Sequence, residues 1–325
     1  NRDSTDSHIL VDRVRGTGKV LHSDTTAAET TEPNTVQRFL QRGVQIGNDV
    51  QVNTDNESYV SWDWLAGTSA GTGTTTSPAG TIASTTIVAD ANHFSIGTYT
   101  GQTSAGTVGH GLSGAPEIIM IWDKEHANSV AVYHVGVASD AETDYLLLNQ
   151  ADAATDDATF WNDTAPTSSV FSVGTGNNTN GNGRDKLFIA FRSVPGVCKV
   201  GSYIGNSDDN GPYVHLGFKP RWWIVKETTI TDASHVWYVA DSARYTYNGT
   251  TTAGGANGGT LEANATTAEE AHNTNFTDNP GFDFLSGGIK IRTNSGTLNG
   301  TGRTYIYMAM AEIGGNGAQP PIYGR

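Results

Sequence analysis

Three segments of the 325-residue chain end in the same way, and they constrain the fold more than any other feature. Residues 59–67, 187–196 and 305–314 are each an apolar and aromatic run that stops at a glycine. Runs of this length, rich in aromatic and branched residues and bounded by glycine, are typical of β-strands. A strand-like segment that occurs three times predicts an array of similar domains rather than one large catalytic domain.

The repeat extends well beyond these strands. A Gly-x-Tyr-x-Gly motif occurs around Tyr99 and again around Tyr203, and these tyrosines are separated by the same 104 positions as Pro116 and Pro220. Each proline opens an apolar run, and further short strands follow in both halves. Equal offsets at independent landmarks predict two complete units of one repeat.

The N-terminal segment matches only the second half of this unit. Residues 8–11 align with 236–239, and residues 39–46 align with 284–291. No Gly-x-Tyr-x-Gly strand precedes them in the sequence. We therefore expect the chain to begin inside a repeat, as a fragment or processed piece of a longer protein. The alternative is a diverged, shorter first unit.

These boundaries predict four regions. Residues 1–67 form the C-terminal half of a truncated repeat, and residues 68–92 form a Gly/Thr-rich linker with the strand that leads into the next unit. Residues 93–196 are the first complete β-sandwich repeat. Residues 197–325 are the second, with a glycine-rich insertion at 249–259. Almost no linker separates the two complete units, so we expect them to pack closely.

Composition supports a folded chain of short strands. Charged residues make up 16% and aromatic residues 9%, with 39 glycines, which suits strands joined by many polar turns. Runs of 4–8 apolar or alternating residues, such as 118–122, 130–134, 145–148 and 221–225, predict about six strands per unit. The expected fold is all-β, a tandem array of antiparallel β-sandwiches of jelly-roll or lectin-like type with about two and a half repeats. Helical periodicity is limited to a turn or two at 35–41.

Net charge and cysteine content limit the partners. The formal charge is −14, and no cluster of Lys or Arg is present, which disfavours nucleic-acid binding. The longest apolar run is only strand length, so no membrane insertion is expected. The single cysteine, Cys198, cannot form an intramolecular disulfide and is expected to be a small buried residue.

Metal and cofactor motifs are weak. The nine histidines show no HxH or HExxH spacing, and no cofactor is predicted. Residues 206–211 resemble the first half of a calcium loop, with oxygen-bearing side chains at Asn206, Asp208 and Asn210 and then a glycine. Gly217 stands where the closing glutamate would be, so the pattern favours a turn over a calcium site.

No catalytic residue is predicted. Gly16-Thr-Gly-Lys19 lacks the spacing of a P-loop, and residues 110–114 lack the spacing of a nucleophile elbow. Carboxylates that differ between the two units argue against an inherited catalytic site. A glycosidase pair assembled across loops stays open as an alternative.

Aromatic residues give the better functional hypothesis. Indole and phenol rings stack on sugars, and amides supply hydrogen bonds to hydroxyl groups. Trp222 and Trp223 are adjacent, so on a strand they point to opposite faces, and only one need be core. The candidate ligand-binding surface comprises Trp161, Asn162, Trp222, Trp223 and Tyr213, with packing between domains as the alternative for the tryptophans.

Five motifs together carry a family resemblance. They are Phe-Ser-Ile-Gly-Thr-Tyr-Thr-Gly (94–101), Ala-Pro-Glu-Ile-Ile-Met-Ile (115–121), Trp-Asn-Asp-Thr-Ala-Pro (161–166), Val-Gly-Ser-Tyr-Ile-Gly (200–205) and Tyr-Ile-Tyr-Met-Ala-Met-Ala-Glu (305–312). With these motifs the chain, from about residue 5 to 315, resembles a domain found in tail-fibre and other virion proteins of marine and cyanobacterial tailed phages. The resemblance implies a structural or adhesive virion component, located in the virion or outside the cell, with no catalytic residues to carry over. It further implies association with other virion proteins and with copies of itself, most often as a trimer.

From these patterns and this resemblance we expect a tail fibre, spike or capsid decoration that binds host-cell glycan. Two alternatives remain, a surface polysaccharide depolymerase and an extracellular adhesin or filament subunit.

Overall fold

The computed structural model describes residues 1–40, 43–66, 75–77, 79–244, 259–271 and 281–311. The fold is all-β, with 38% of residues in strands and 4% in helices, as the sequence predicts. Residues 68–74 and 78 of the predicted Gly/Thr-rich linker, residues 249–258 of the glycine-rich insertion and the C-terminal residues 312–325 lie outside the described residues.

The N-terminal unit contains two small sheets. Strand β2 lies between β1 and β3, and β4 pairs with β5 as a hairpin. The strands are β1 (Ile9–Leu10), β2 (Lys19–His22), β3 (Thr30–Thr31), β4 (Val36–Leu40) and β5 (Gly43–Ile46). The helical turn predicted at 35–41 is wrong, because Val36–Leu40 pairs with Gly43–Ile46 as a β-hairpin.

The first complete unit combines a large sheet with a two-stranded sheet. The large sheet has the order β13-β12-β11-β10-β15-β8-β7-β6, and β14 pairs with β9. The elements are β6 (Thr75–Ser77), β7 (Ser84–Val88), β8 (Phe94–Thr100), β9 (Gly106–Gly109), β10 (Ile118–Asp123), β11 (Ala131–His134), β12 (Asp144–Leu147), β13 (Thr155–Asp156), α1 (Ala158–Trp161), β14 (Val170–Val173), α2 (Asn177–Asn180) and β15 (Asp185–Phe191).

The second complete unit repeats this topology. Its large sheet has the order β16-β24-β18-β19-β20-β21, and its small sheet has the order β17-β23-β22. The elements are β16 (Cys198–Ile204), β17 (Tyr213–His215), β18 (Pro220–Glu227), β19 (Tyr238–Asp241), β20 (Gly259–Glu262), β21 (Glu270–Ala271), β22 (Phe282–Leu285), β23 (Gly288–Ile291), α3 (Gly296–Asn299) and β24 (Thr304–Ala311). In chain order, β16 to β21 take the places of β8 to β13, and β23, α3 and β24 take those of β14, α2 and β15.

The Gly-x-Tyr-x-Gly motif has the same structural role in both units. The Tyr99 hydroxyl donates to the Thr179 carbonyl of α2, and the Tyr203 hydroxyl donates to the Leu298 carbonyl of α3. A side chain at the glycine that ends the motif, Gly101, would collide with the backbone that follows α2, and Gly205 has the equivalent position after α3. The motif therefore fixes a short helix against the end of a central strand.

An arginine cluster shows that the N-terminal unit is built like the second half of a complete one. Arg15 donates to Asp12, to Glu29 and to the carbonyl of Leu10. In the second complete unit, Arg244 donates to Asp241, Glu269 and the Val239 carbonyl at matching places. Strands β1, β2 and β3 have the same order as β19, β20 and β21.

The segment at 60–65 is not a strand, contrary to the prediction from its sequence. Its equivalents in the complete units, β15 and β24, each lie between two other strands. Among the described residues of the N-terminal unit, this segment has no ladder partner on either side. Its backbone therefore follows an irregular path, and its tryptophans, Trp62 and Trp64, pack against the complete units.

The two complete units pack through their large sheets. Trp223 and Val225 of β18 belong to the second unit's own core, whereas Trp222 and Ile224, on the opposite face, join the core of the first unit. Successive strand residues alternate between faces, so β18 is apolar on both sides because both sides are covered.

Hydrogen bonds join the first complete unit to each of the other two units. The Trp237 indole donates to the Leu147 carbonyl at 2.9 Å, joining the second complete unit to the first. The Trp122 indole donates to the His22 carbonyl at 2.8 Å, joining the first complete unit to the N-terminal one. Cys198 is buried at the start of β16, as predicted.

Candidate ligand-binding site

A groove of about 290 Å³ runs along β7, β8 and the beginning of β15 in the first complete unit. Sites for small molecules commonly have volumes of roughly 300–1,000 Å³. The groove lies just below the lower end of this range, which limits it to a small polar group such as one sugar ring. Its lining consists of Ala83, Ser84, Thr85, Thr98, Tyr99, Thr100 and Asp185.

Strand register brings the hydroxyl groups of the groove together. Thr85 is the cross-strand partner of Thr98, and Thr100 is the partner of Asp185. Thr98 and Thr100 lie two positions apart on β8, so their side chains project from the same face of the sheet. Threonine is favoured in strands because its branched side chain packs well on a pleated surface.

One carboxylate is held in place beside these hydroxyls. Thr100 donates its hydroxyl to Asp185 Oδ1 at 2.7 Å, and Lys124 Nζ lies 3.6 Å from Asp185 Oδ2. The Asp185 side chain remains about half exposed, so its oxygens can still accept hydrogen bonds from a ligand. The groove thus offers fixed donors and acceptors suited to a polyhydroxylated ligand.

The described part of the second complete unit differs at the position of the groove. In the second unit, the pair equivalent to Thr100 and Asp185 is Ile204 and Thr304. Within the described residues, β16 has no neighbour in the place that β7 takes beside β8. The carboxylate and one wall of the groove therefore have no counterpart among the residues that the structure describes in the second unit.

The number of carboxylates bears on the depolymerase alternative. Glycosidases generally use two carboxyl groups that flank the scissile bond. Asp185 is the single carboxylate among the residues that line this groove.

The tryptophans expected at a ligand-binding surface are buried, so that prediction is wrong for all three. Trp161 is 2% exposed and contacts Tyr133 edge-to-face, with ring centroids 5.8 Å apart. Trp223 is 0% exposed and packs on Phe282, and Trp222 is 6% exposed at the junction of the units. A ring buried in this way has no open face on which a sugar could stack.

The other two predicted surface residues are exposed but lie in different settings. Asn162 follows α1 in a left-handed conformation (φ 54°), and its N–H donates to the Ala158 carbonyl, so it caps that helix. Tyr213 is 48% exposed on β17, where its ring lies 6.2 Å from that of His215. Neither residue lines the groove.

The calcium-loop candidate is a turn stabilised by its own side chains. Asn206 Oδ1 accepts a hydrogen bond from the Asp208 N–H at 3.1 Å, and Asp208 Oδ1 accepts from the Asn210 N–H at 2.7 Å. Asn299 also donates to Asn206 Oδ1. Throughout the described part of the chain, no three His, Cys, Asp or Glu residues are grouped so as to hold a metal ion.

A second cavity lies between the end of the N-terminal unit and the second complete unit, but it holds about 20 Å³. That volume accommodates roughly one water molecule. Trp62 and Trp64 contact Trp222 edge-to-face there, and the Arg244 guanidinium lies 5.3 Å from the centre of the Trp62 ring. The cluster is a packed junction rather than a ligand site.

Sequence reasoning missed the groove for a specific reason. In the sequence, the groove corresponds to threonines at alternate positions of β8 and an aspartate at the start of β15. Because the chain is rich in threonine throughout, this pattern does not stand out. Thr85, Thr98, Thr100 and Asp185 come together only through the pairing of β7, β8 and β15.

Comparisons with known proteins place the chain in a family without assigning an activity. In the ranges that the structure describes, no helix has the length and apolar character needed to cross a membrane. No curated protein and no solved structure matches the sequence. A family model described as a domain of unknown function, DUF7483, matches residues 1–313, and the chain therefore belongs to that family.

Proposed function

We propose that the protein is a non-enzymatic structural and adhesive component of a phage virion, in a tail fibre, spike or capsid decoration, and that the groove on β7, β8 and β15 binds host-surface glycan. The observation that carries the binding part is the groove itself, where aligned threonine hydroxyls lie beside a half-exposed carboxylate. The virion part rests on the resemblance of the sequence to tail-fibre domains.

The packing of the units supports a structural role. Large tryptophans that an adhesin could display are instead used to join three units into one body. Rigid sheets hold binding groups more accurately than loops do. A groove on such a body keeps its hydroxyls in position before a ligand arrives, which lowers the entropic cost of binding.

A glycan array tests the binding proposal, and titration of any glycan that binds gives its affinity. The variant to compare carries Thr85→Val and Thr98→Val, which keep the shape of the side chains and remove two hydroxyls. Each neutral hydrogen bond contributes about 0.5–1.5 kcal/mol, so the loss of two should weaken binding about 5- to 150-fold.

Thr155→Val is the matched control, because Thr155 is an exposed threonine on β13 at the opposite end of the same sheet. It should bind like the wild-type protein. Equal affinity of the double variant and the wild type would place the glycan elsewhere. Absence of binding to any host polysaccharide would refute the adhesive role and leave the structural one, which immunogold electron microscopy of the virion would test. New reducing ends released from a bound polysaccharide would indicate a depolymerase instead.

A further inference from the structure

One residue sets the charge of the groove on β7, β8 and β15. Among the described residues that line it, Asp185 is the single carboxylate, and none is a lysine, an arginine or a histidine. The rest of the lining supplies hydroxyl and backbone groups, which bind neutral ligands of many kinds. Asp185 is therefore the lining residue that can select one class of sugar by charge.

The Asp185 carboxylate keeps lone pairs for a further donor. Its Oδ1 accepts the Thr100 hydroxyl at 2.7 Å, whereas Lys124 Nζ lies 3.6 Å from Oδ2, which is longer than a normal hydrogen bond. Each carboxylate oxygen has two lone pairs, and the side chain is 47% exposed, so a ligand can reach it. A cationic N–H donor gains most here, because charge-assisted hydrogen bonds are roughly twice as strong as neutral ones.

The charged groups near Asp185 add to this preference for a cation. Glu125 Oε2 accepts the Asp185 N–H at 3.0 Å, so a second carboxylate lies close to the first. Lys186 projects from the opposite face of β15, because successive strand residues alternate, and its Nζ lies 2.7 Å from the buried Asp123 carboxylate. The Arg184 guanidinium lies 3.5 Å from the same Asp123 oxygen. These two cations therefore compensate Asp123 rather than Asp185.

An anionic sugar is disfavoured at the same place. The carboxylate of a uronic or sialic acid in this groove would be repelled by Asp185 at short range. The formal charge of −14 on the whole chain also repels a polyanionic glycan as it approaches. Both effects have the same sign, so the groove discriminates against acidic sugars.

We propose that the groove binds an amino sugar, a hexosamine with a free and protonated amine, and that Asp185 is the residue that selects it. The amine donates to the Asp185 carboxylate, while the hydroxyls of the sugar ring pair with those of Thr85 and Thr98. Because it names the class of sugar that the groove takes, this assignment rests on the glycan-binding function proposed above.

A chitosan oligosaccharide and a chitin oligosaccharide of the same length are the probes. They share one sugar backbone, and the N-acetyl groups of chitin remove the positive charge of the amines. Calorimetric titration of the full 325-residue chain, below the pKa of the sugar amines, should show at least about fivefold tighter binding of the chitosan oligosaccharide, because a charge-assisted hydrogen bond replaces a neutral one. Added salt should reduce this difference, since it screens the charges.

Three variants of the chain identify the selecting residue. Asp185→Asn removes the charge but keeps an oxygen that can accept the Thr100 hydroxyl, so the preference for the chitosan oligosaccharide should disappear. Lys124→Met removes the cation that lies 3.6 Å from Asp185 and should strengthen binding of that oligosaccharide about two- to fivefold, which a merely structural role of Asp185 would not produce. Asp156→Asn is the matched control, because it changes the net charge equally at an exposed position on β13, at the opposite end of the sheet. It should keep the preference.

The possible failures of this assignment are distinct from a failure of glycan binding itself. Equal or tighter binding of the chitin oligosaccharide, an unchanged preference in Asp185→Asn, or an equal loss of preference in Asp156→Asn would overturn the selection of an amino sugar by Asp185. Tighter binding of a glucuronic acid oligosaccharide than of the chitosan oligosaccharide would overturn it as well. Absence of binding of both probes would also overturn it, and the glycan array then decides separately whether the groove binds any other sugar.

Discussion

The junction around Trp222 offers the most direct test of how the units are held together. Trp222 is 6% exposed, and its ring centroid lies 5.4 Å from that of Trp64 and 6.3 Å from that of Trp62, both in edge-to-face contact. Both partners belong to the irregular segment that ends the N-terminal unit. Replacing Trp222 with alanine removes the surface on which this segment packs.

The cost can be worked from these contacts. Truncation of a buried tryptophan to alanine costs about 3–5 kcal/mol. Each edge-to-face aromatic pair contributes about 0.5–1.5 kcal/mol beyond its buried area, so the two pairs account for about 1–3 kcal/mol of that loss. The remainder comes from transfer of the indole to water and from the cavity left behind. Trp222→Ala should therefore lower the free energy of unfolding by about 4 kcal/mol.

The adjacent residue provides a matched control. Trp223 is fully buried in the second unit's own core, and Trp223→Ala should cost about the same 3–5 kcal/mol. It contacts Phe282 rather than the N-terminal segment. Hydrogen exchange should therefore accelerate at residues 59–66 in Trp222→Ala and stay unchanged there in Trp223→Ala under native conditions.

Two results would refute this reasoning. A loss of less than about 1 kcal/mol in Trp222→Ala, measured by denaturant unfolding, would mean that the junction contributes little to stability. Equal exchange at residues 59–66 in the wild type and in Trp222→Ala would mean that the aromatic contacts do not hold this segment.

Two further predictions concern buried polar groups. Lys186 Nζ lies 2.7 Å from Asp123 Oδ2 with both side chains fully buried, and the Arg184 guanidinium lies 3.5 Å from the same oxygen. Lys186→Met alone should therefore cost up to about 3–5 kcal/mol, because the buried Asp123 carboxylate loses its nearest charged partner and keeps the more distant Arg184. Adding Asp123→Asn should restore part of the lost free energy of unfolding, as measured with denaturant. A double variant less stable than Lys186→Met would contradict this prediction. His134 contacts the Tyr307 carbonyl through Nε2 and accepts the Gly136 N–H at Nδ1, and burial lowers its pKa to about 4. Because the unfolded chain takes up this proton near pH 6.5 and the folded chain does not, stability should fall by about 3 kcal/mol between pH 6.5 and 4, and the fall should be smaller in His134→Gln. Identical pH profiles of the two proteins would contradict this.

The internal repeat could be predicted in detail because local sequence patterns reveal it. Tyrosine, glycine and proline landmarks recur at fixed offsets, and each has a structural role of its own, such as the Tyr99 and Tyr203 hydroxyls that hold the short helices. Local sequence patterns are misleading at 35–41, where they predict a helical turn, and at 60–65, where they predict a strand. At 35–41 pairing with Gly43–Ile46 decides the structure, and at 60–65 the absence of strand neighbours among the described residues decides it.

The candidate ligand-binding site could not be predicted in this way, because the exposure of a side chain depends on how the units pack together. An aromatic strand looks the same in sequence whether its second face meets solvent or another sheet. Trp222 and Trp223 show this directly, because both faces of β18 are covered, one by its own unit and the other by the first complete unit together with Trp62 and Trp64 of the N-terminal unit.

The sequence by itself determines that the chain is all-β, that it repeats, and that its N-terminal part matches half of a unit, because strand periodicity and turn chemistry are local. The tertiary structure alone decides that tryptophans join the units and that threonines from separate strands form a groove. Those outcomes depend on which sheet faces and edges meet, and the residues that meet are far apart in the chain.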